Sequence, residues 1–193
     1  MKKNKIIIYG DGGHATSCIG LIESTKKFKI AGLVSNKNLK TINTYPVIGN
    51  EKELINLKKI TKNIIIGISF YKNLKKRKEI FFKLKNLGFH IPTIISPLSY
   101  LMSGVKIGEG CQIFHKVVVN KKALIGNNCV VNNQSLIEHD VQIKDNTHIS
   151  TSVTINGGCT IGQGTFIGSG SVLRENLNIK NNHFIKMGTI LKK

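Results

Sequence analysis

The sequence predicts two parts: an α/β N-terminal domain with a small parallel sheet, a Rossmann-like half, over residues 1–91, and a parallel β-helix of hexapeptide repeats over residues 92–193. Three observations carry this. From Ile95 to Leu191 every sixth residue is aliphatic without exception, Ile113, Ile137, Ile155 and Ile167 among them. The residue two before each anchor is mostly small or β-branched, as at Cys111, Ala123, Cys129, Ser135, Thr147, Cys159 and Ser171. Ahead of the repeat, short apolar strands alternate with helical patterns. A helix repeats at about 3.6 residues and a lone strand at about two, so an unbroken six fits neither; it fits short strands coiling round a dry interior.

Taken in order, residues 5–9 (KIIIY) read as a buried strand, followed by Gly10-Asp11-Gly12-Gly13-His14-Ala15 and a helical pattern over residues 15–23. This matches G-x-G-x-x-A at a strand-to-helix turn, where glycines let a ligand approach the backbone and the helix N-terminus favours phosphate. A dinucleotide site also wants an acid about twenty residues further on, to hold a ribose. The second strand, residues 29–34, is followed instead by Ser35 and Asn36, and no second βαβ half precedes the repeat. NAD is therefore disfavoured, and a smaller phosphorylated or nucleotide ligand remains open. Residues 45–49 (YPVIG) read as a turn with a short extended piece, 51–57 as a short helix, 63–68 as a buried strand, and 73–87 as a helix with Leu74, Ile80, Phe81, Leu84 and Leu87 on its apolar face. Ligands of parallel α/β sheets gather at the carboxyl ends of strands, which places Gly10, Gly12, Gly13, His14, Ser35, Asn36 and Ile68 round one crevice.

Composition narrows the function classes. No apolar run is long enough to span a membrane, and residues 1–5 lead straight into a strand, so neither a span nor a secretory signal is expected and the cytoplasm is the expected compartment. The formal charge of +19 is almost all lysine, with arginine only at Arg77 and Arg174. With only two arginines and no interleaved aromatics for base reading and stacking, nucleic acid is not the expected partner; phosphorylated small molecules are. Cys18, Cys111, Cys129 and Cys159 show no CxxC spacing, and three of them take the small inward position of the repeat, as reduced core residues.

Within the repeat, three hexapeptides make one triangular coil, so residues eighteen apart stack. Glycine often follows the anchor (Gly108, Gly126, Gly162, Gly168), where the chain turns. His139 falls at a corner, two after Ile137, with Lys121 one coil before it and Gly157 one coil after, and it points out of the prism. Its plain reading is a solvated corner residue.

The combination resembles the NeuD/PglD family of bacterial sugar acetyltransferases, within the left-handed β-helix acyltransferases of hexapeptide repeats. The residues that carry the resemblance are Tyr9-Gly10-Asp11-Gly12-Gly13-His14-Ala15, Pro46-Val47-Ile48-Gly49, the block from Val131-Asn132 through Leu136-Ile137-Glu138-His139-Asp140-Val141 to Thr147-His148-Ile149-Ser150, and Asn156-Gly157-Gly158-Cys159-Thr160-Ile161-Gly162. It implies a homotrimer with acetyl-CoA between neighbouring prisms, no metal, and a UDP-linked amino sugar of 4-amino-4,6-dideoxy type in glycan precursor synthesis. By the same resemblance His139 is the general base and Asp140 supports it. His148, Gly157, Gly168 and Ser169 meet the cofactor, and Asn132 together with the Gly10–His14 loop, Ser35 and Asn36 meets the substrate. Departures stand at Ser35 and Asn36, where the family often has acids, at Ser96 in place of a histidine, and at the C-terminus, where the usual Gly-x-Pro-Ala-Lys loop is absent.

The chemistry agrees with these roles. Imidazole titrates near neutrality and takes a proton from an attacking amine or hydroxyl, and turn amides near Gly157 are candidates to hold the oxyanion. Sialic acid O-acetylation on the same scaffold is an alternative. Two further rivals are a zinc-dependent, carbonic anhydrase-like β-helix drawing on His115, His139, His148 and His183, and a non-catalytic trimer that binds sugar nucleotides.

Overall fold

The computed structural model describes residues 4–69 and 74–192. The chain divides into two compact units, one running to Ser69 and resuming over Glu79–Pro92, the other taking Thr93 onward together with the start of the third helix.

In the first unit, β1 (Asn4–Tyr9), α1 (Gly13–Thr25), β2 (Phe28–Val34), β3 (Thr41–Ile42), β4 (Tyr45–Gly49), α2 (Leu54–Leu57), β5 (Ile64–Ile66) and α3 (Leu74–Asn86) follow one another. The sheet order is β3-β4-β2-β1-β5. Strands β4, β2, β1 and β5 are parallel; β3 folds back antiparallel on β4, so residues 45–49 form a strand rather than a turn with a short extension. The start expected for α3 at Asn73 lies outside the described residues. A 3₁₀ turn, Glu51–Glu53, leads into α2, opened by a capping box in which Asn50 and Glu53 exchange hydrogen bonds with each other's backbone amides. The strands are isoleucine-rich because the sheet is buried on both faces: Ile6, Ile7, Ile8, Ile64, Ile65 and Ile66 are all buried. One face packs on Leu54, Leu57, Ile80, Phe81 and Leu84.

The second unit is the left-handed β-helix, with three parallel sheets of six, five and six two-residue strands. Face A holds Tyr100–Leu101, Val118–Val119, Leu136–Ile137, Thr154–Ile155, Val172–Leu173 and Ile190–Leu191; face B runs from Lys106–Ile107 to Asn178–Ile179; face C runs from Ile94–Ile95 through His148–Ile149 to Phe184–Ile185. Every pairing joins residues eighteen apart, such as Val119 with Ile137 and Ile137 with Ile155. Most of the anchors from Ile113 to Ile185, with the apolar small residues two before them, form a single buried cluster, against which the partly buried Leu101, Ile107, Ile179 and Leu191 pack.

The polar members of the small column are satisfied in one repeating way. Each side chain donates to the carbonyl fifteen residues on: Ser135 to Ser150, Thr165 to Lys180, Ser171 to Lys186, and the thiols of Cys111, Cys129 and Cys159 to Gly126, Lys144 and Arg174. A hydroxyl or thiol there closes a hydrogen bond that an alanine would leave open. The cysteines are free and buried.

The reason for the glycines differs from the turn geometry expected of them. The left-handed residue of each corner comes three after the anchor, at positions such as Asn128, Asp140, Asn146 and Asn182, residue types that tolerate positive φ. Glycine one after the anchor meets a different demand: a Cβ on Gly162 would lie 2.5 Å from the backbone nitrogen of Asn181 in the next coil. Close stacking of coils, not φ, excludes a side chain there.

Candidate functional site

The loops expected to line one crevice at the strand ends meet within the first unit. Strands β1, β2 and β5 are neighbours, so the loops that follow them meet: the Gly10 amide donates to Val34 and the Gly67 amide to Tyr9. Gly10 has φ +128°, and a Cβ on it would stand 2.7 Å from the Gly67 carbonyl, so glycine is required twice over. Gly12 caps α1 without any side-chain bond, and side chains at Gly12 and Gly13 would meet nothing within 4 Å. Packing therefore does not explain the absence of side chains at this helix N-terminus, where the free amides favour an anion. His14 lies half-buried in the first turn, and Ile68 is half-buried after β5.

Ser35 and Asn36 do not stand free for a ligand. Buried Ser35 donates to Asp11 at 2.5 Å, and Lys37 pairs with the other oxygen of that carboxylate at 2.9 Å. Burial alone would raise the Asp11 pKa; the bonds from Ser35 and Lys37 outweigh it and hold the carboxyl below its usual range. The Asn36 side chain donates to Glu51 at 3.3 Å and accepts from the Glu51 backbone amide at 3.1 Å. Glu51 is drawn down to about 2, first by Lys83 at 2.6 Å, against the opposing effect of burial, and with further bonds from Asn36 and the Tyr9 hydroxyl. Burial, then the charge of Glu51, pushes the Tyr9 hydroxyl well up, so it remains a donor. Sequence reasoning missed both acids, because their partners are 15 or more residues away and nothing local marks them.

In the β-helix, His139 sits on the corner between faces A and B with 62% of its side chain exposed. Its Nδ1 lies 2.9 Å from the Asp140 carboxylate. Asp140 reaches back because its backbone is left-handed, with φ +60°. A carboxylate at Nδ1 keeps the proton on that nitrogen and leaves Nε2 with its lone pair, the state a base requires. Gly157 lies directly against the ring: a Cβ there would stand 2.6 Å from Cε1 and 2.7 Å from Nε2. The Gly158 amide already donates to the His139 carbonyl and so is not a candidate oxyanion donor.

The remaining expected residues occupy other places. Asn132, Gly168 and Ser169 follow face-C anchors, on the corner between faces C and A. Asn132 accepts from the Asn133 amide, Ser169 is exposed, and a Cβ on Gly168 would strike the backbone of Met187, so that glycine answers to coil stacking. His148 is buried on face C, its ring stacked on Phe166 at 5.1 Å, with Phe184 continuing the stack at 5.0 Å. One copy of the chain thus divides the expected β-helix residues between the two edges of face A, with His148 on face C, and does not gather them. The outward side chains of face A are Tyr100, Val118, Leu136, Thr154, Val172 and Ile190, an almost wholly apolar stripe whose ends, Tyr100 and Ile190, are 61% and 65% exposed. Among the described residues no three His, Cys, Asp or Glu side chains converge as a metal site within the chain, and no helix is long and apolar enough to cross a membrane.

Comparison with known proteins agrees with both units. Residues 5–84 match the family described as the PglD N-terminal domain, and residues 95–193 match that described as the GMPPB C-terminal domain. No curated protein matches the sequence significantly. Among solved structures, PerB from Caulobacter crescentus in complex with CoA and GDP-perosamine superimposes with a TM-score of 0.91 at 21% identity, over 98% of this chain and 89% of that one. The acetyltransferase domain of PglB from Neisseria gonorrhoeae FA1090, in complex with acetyl coenzyme A, gives 0.88 at 22% identity over 98% and 93%. WeeI from Acinetobacter baumannii AYE gives 0.60 at 20% identity over 97% and 96%. At these identities the likeness is one of fold.

Proposed function

Because this chain belongs, through its β-helix, to the family of the GMPPB C-terminal domain and carries a PglD N-terminal domain ahead of it, as NeuD/PglD-type proteins do, we propose that it is an acetyl-CoA-dependent N-acetyltransferase. Its substrate is a nucleotide-linked amino sugar of glycan precursor synthesis, in the finer form a UDP-linked 4-amino-4,6-dideoxy sugar. Residues 1–91 hold the nucleotide and residues 92–193 perform the transfer. PerB, solved with GDP-perosamine, makes GDP the other nucleotide to test.

The observation that carries the reading is the corner of His139, exposed, tied at Nδ1 by Asp140, with its ring over Gly157. Bound acetyl-CoA supplies an acetyl thioester, whose sulfur is already an adequate leaving group. Nε2 of His139 takes the proton from the sugar amine as its nitrogen bonds to the acetyl carbon, and returns it to the departing thiolate, so protons balance without a covalent acyl-enzyme. The Asp140 carboxylate stabilises the imidazolium between these two transfers. The chain works as a homotrimer: copies meeting on the apolar stripe of face A would bring one chain's His139 edge to another's edge bearing Asn132, Gly168 and Ser169. Sedimentation equilibrium should give three chains per particle.

The experiment is turnover with acetyl-CoA on a panel of UDP- and GDP-linked amino sugars and sialic acids, following free thiol. Acetylation of an amine is expected. Turnover on hydroxyls alone would transfer the reading to sialic acid O-acetylation, and turnover on neither would end it.

A further inference from the structure

Dinucleotide-binding folds place an acid at the end of the second strand, where it accepts hydrogen bonds from ribose hydroxyls. Here that place is held by Ser35, a residue with no charge. A carboxylate nevertheless stands there. Asp11, from the loop after β1, is bound to Ser35 at 2.5 Å and to Lys37 at 2.9 Å, so both of its oxygens are fixed against the residues that follow β2. Its side chain is 19% exposed, which leaves an edge open to a ligand. The neighbouring space is also open, since side chains at Gly12 and Gly13 would meet no atom within 4 Å.

We propose that Asp11 reads the ribose of the nucleotide, its carboxylate accepting hydrogen bonds from the 2′ and 3′ hydroxyls at the end of β2. An ionised carboxylate offers about four lone-pair sites. Ser35 and Lys37 occupy one on each oxygen, and one on each remains, matching a vicinal diol. Lys37, bonded to one oxygen, and Ser35, bonded to the other, fix the plane of the group before the ligand arrives, so little ordering remains at binding. The glycine loop then has two tasks along its length: the open amides at Gly12 and Gly13 face the phosphates, and Asp11, one residue earlier, faces the sugar. Asn36 and Glu51 are not part of this reading, because they satisfy each other and Lys83.

The inference rests on the nucleotide-sugar reading above, and the test separates the two. The full chain is titrated calorimetrically with UDP, 2′-deoxy-UDP, GDP and 2′-deoxy-GDP, without acetyl-CoA. The wild type should prefer the ribonucleotide of the pair it binds by about tenfold or more, the range for losing a hydrogen bond to a charged group. In Asp11→Asn, which keeps the shape of the side chain, the preference should fall to about one. Ser35→Ala, which keeps the carboxylate but frees it, should give a smaller preference than the wild type, and it serves in place of the asparagine variant if that fails to fold. Tight binding with no preference in the wild type, or a full preference in Asp11→Asn, overturns the role of Asp11 and leaves the nucleotide reading standing. Absence of binding by all four nucleotides overturns both.

Discussion

The two units of this protein position polar side chains by opposite means. In the β-helix the partner of a corner residue is its sequence neighbour or lies one coil away, so its surroundings are set by adjacent positions and by those eighteen along: His139 meets Asp140 and rests on Gly157, and Asn128 donates to Asn146. In the α/β unit the partners are scattered, and Asp11 meets Ser35 and Lys37, while Glu51 meets Asn36, Lys83 and Tyr9, only because the strand order brings those segments together. A repeat gives each side chain a local, rigid seat. A sheet edge gives it a long-range one, and the two should fail differently when perturbed.

The largest effect should come from the buried column that holds the coils in register. Ile149→Ala removes a fully buried anchor from a column with no room to collapse, and the expected loss is about 2–5 kcal/mol in urea unfolding. A loss below about 1 kcal/mol would break the idea that the stacked coils form one cooperative core.

Next comes the seat itself. Gly157→Ala should displace the His139 ring while leaving the fold intact, lowering kcat about a hundredfold, the scale on which a misplacement of about 1 Å acts. Unchanged kcat would mean that the ring does not act from this position. Asp140→Asn keeps a residue type suited to left-handed backbone and removes only the carboxylate; about a tenfold loss of kcat is expected.

The smallest effect belongs to the scattered network. The carboxyl of Glu51 is drawn from 4.5 to about 2 in the folded chain, so its contribution to stability is complete above its ordinary range and is lost as the pH falls toward about 2. Glu51→Gln should remove that part of the acid sensitivity and cost an equally small amount of stability at neutral pH, because the group lies near the surface, where solvent screens the pair. Identical acid-unfolding curves for the two proteins would contradict the role given to Lys83.

The same contrast explains what was legible in the sequence. The period of six announces itself through Ile95 to Leu191, and indexing it places Gly157 against His139 without a structure. The meeting of the loops at the strand ends was legible for a related reason, because the alternation of strands and helices dictates that Gly10 and Ser35 end neighbouring strands. Two things were not legible. The glycines after the anchors looked like turn residues, yet they answer to the backbone of the next coil, a constraint that a one-dimensional pattern expresses only as a missing side chain. The acids beside Ser35 and Asn36 come from positions 11 and 51, joined by the sheet rather than by spacing. A search confined to the residues after β2 finds neither.

The central claim is that His139 removes the proton during acetyl transfer. It is tested most directly by single-turnover acetylation of the preferred amino sugar by His139→Ala at saturating acetyl-CoA, beside a calorimetric measurement of CoA binding. The account predicts a chemical step slowed by about 10²–10⁴-fold, with CoA affinity and the unfolding transition essentially those of the wild type, since the side chain is exposed and outside the core. A variant that transfers acetyl at a rate near that of the wild type would contradict it.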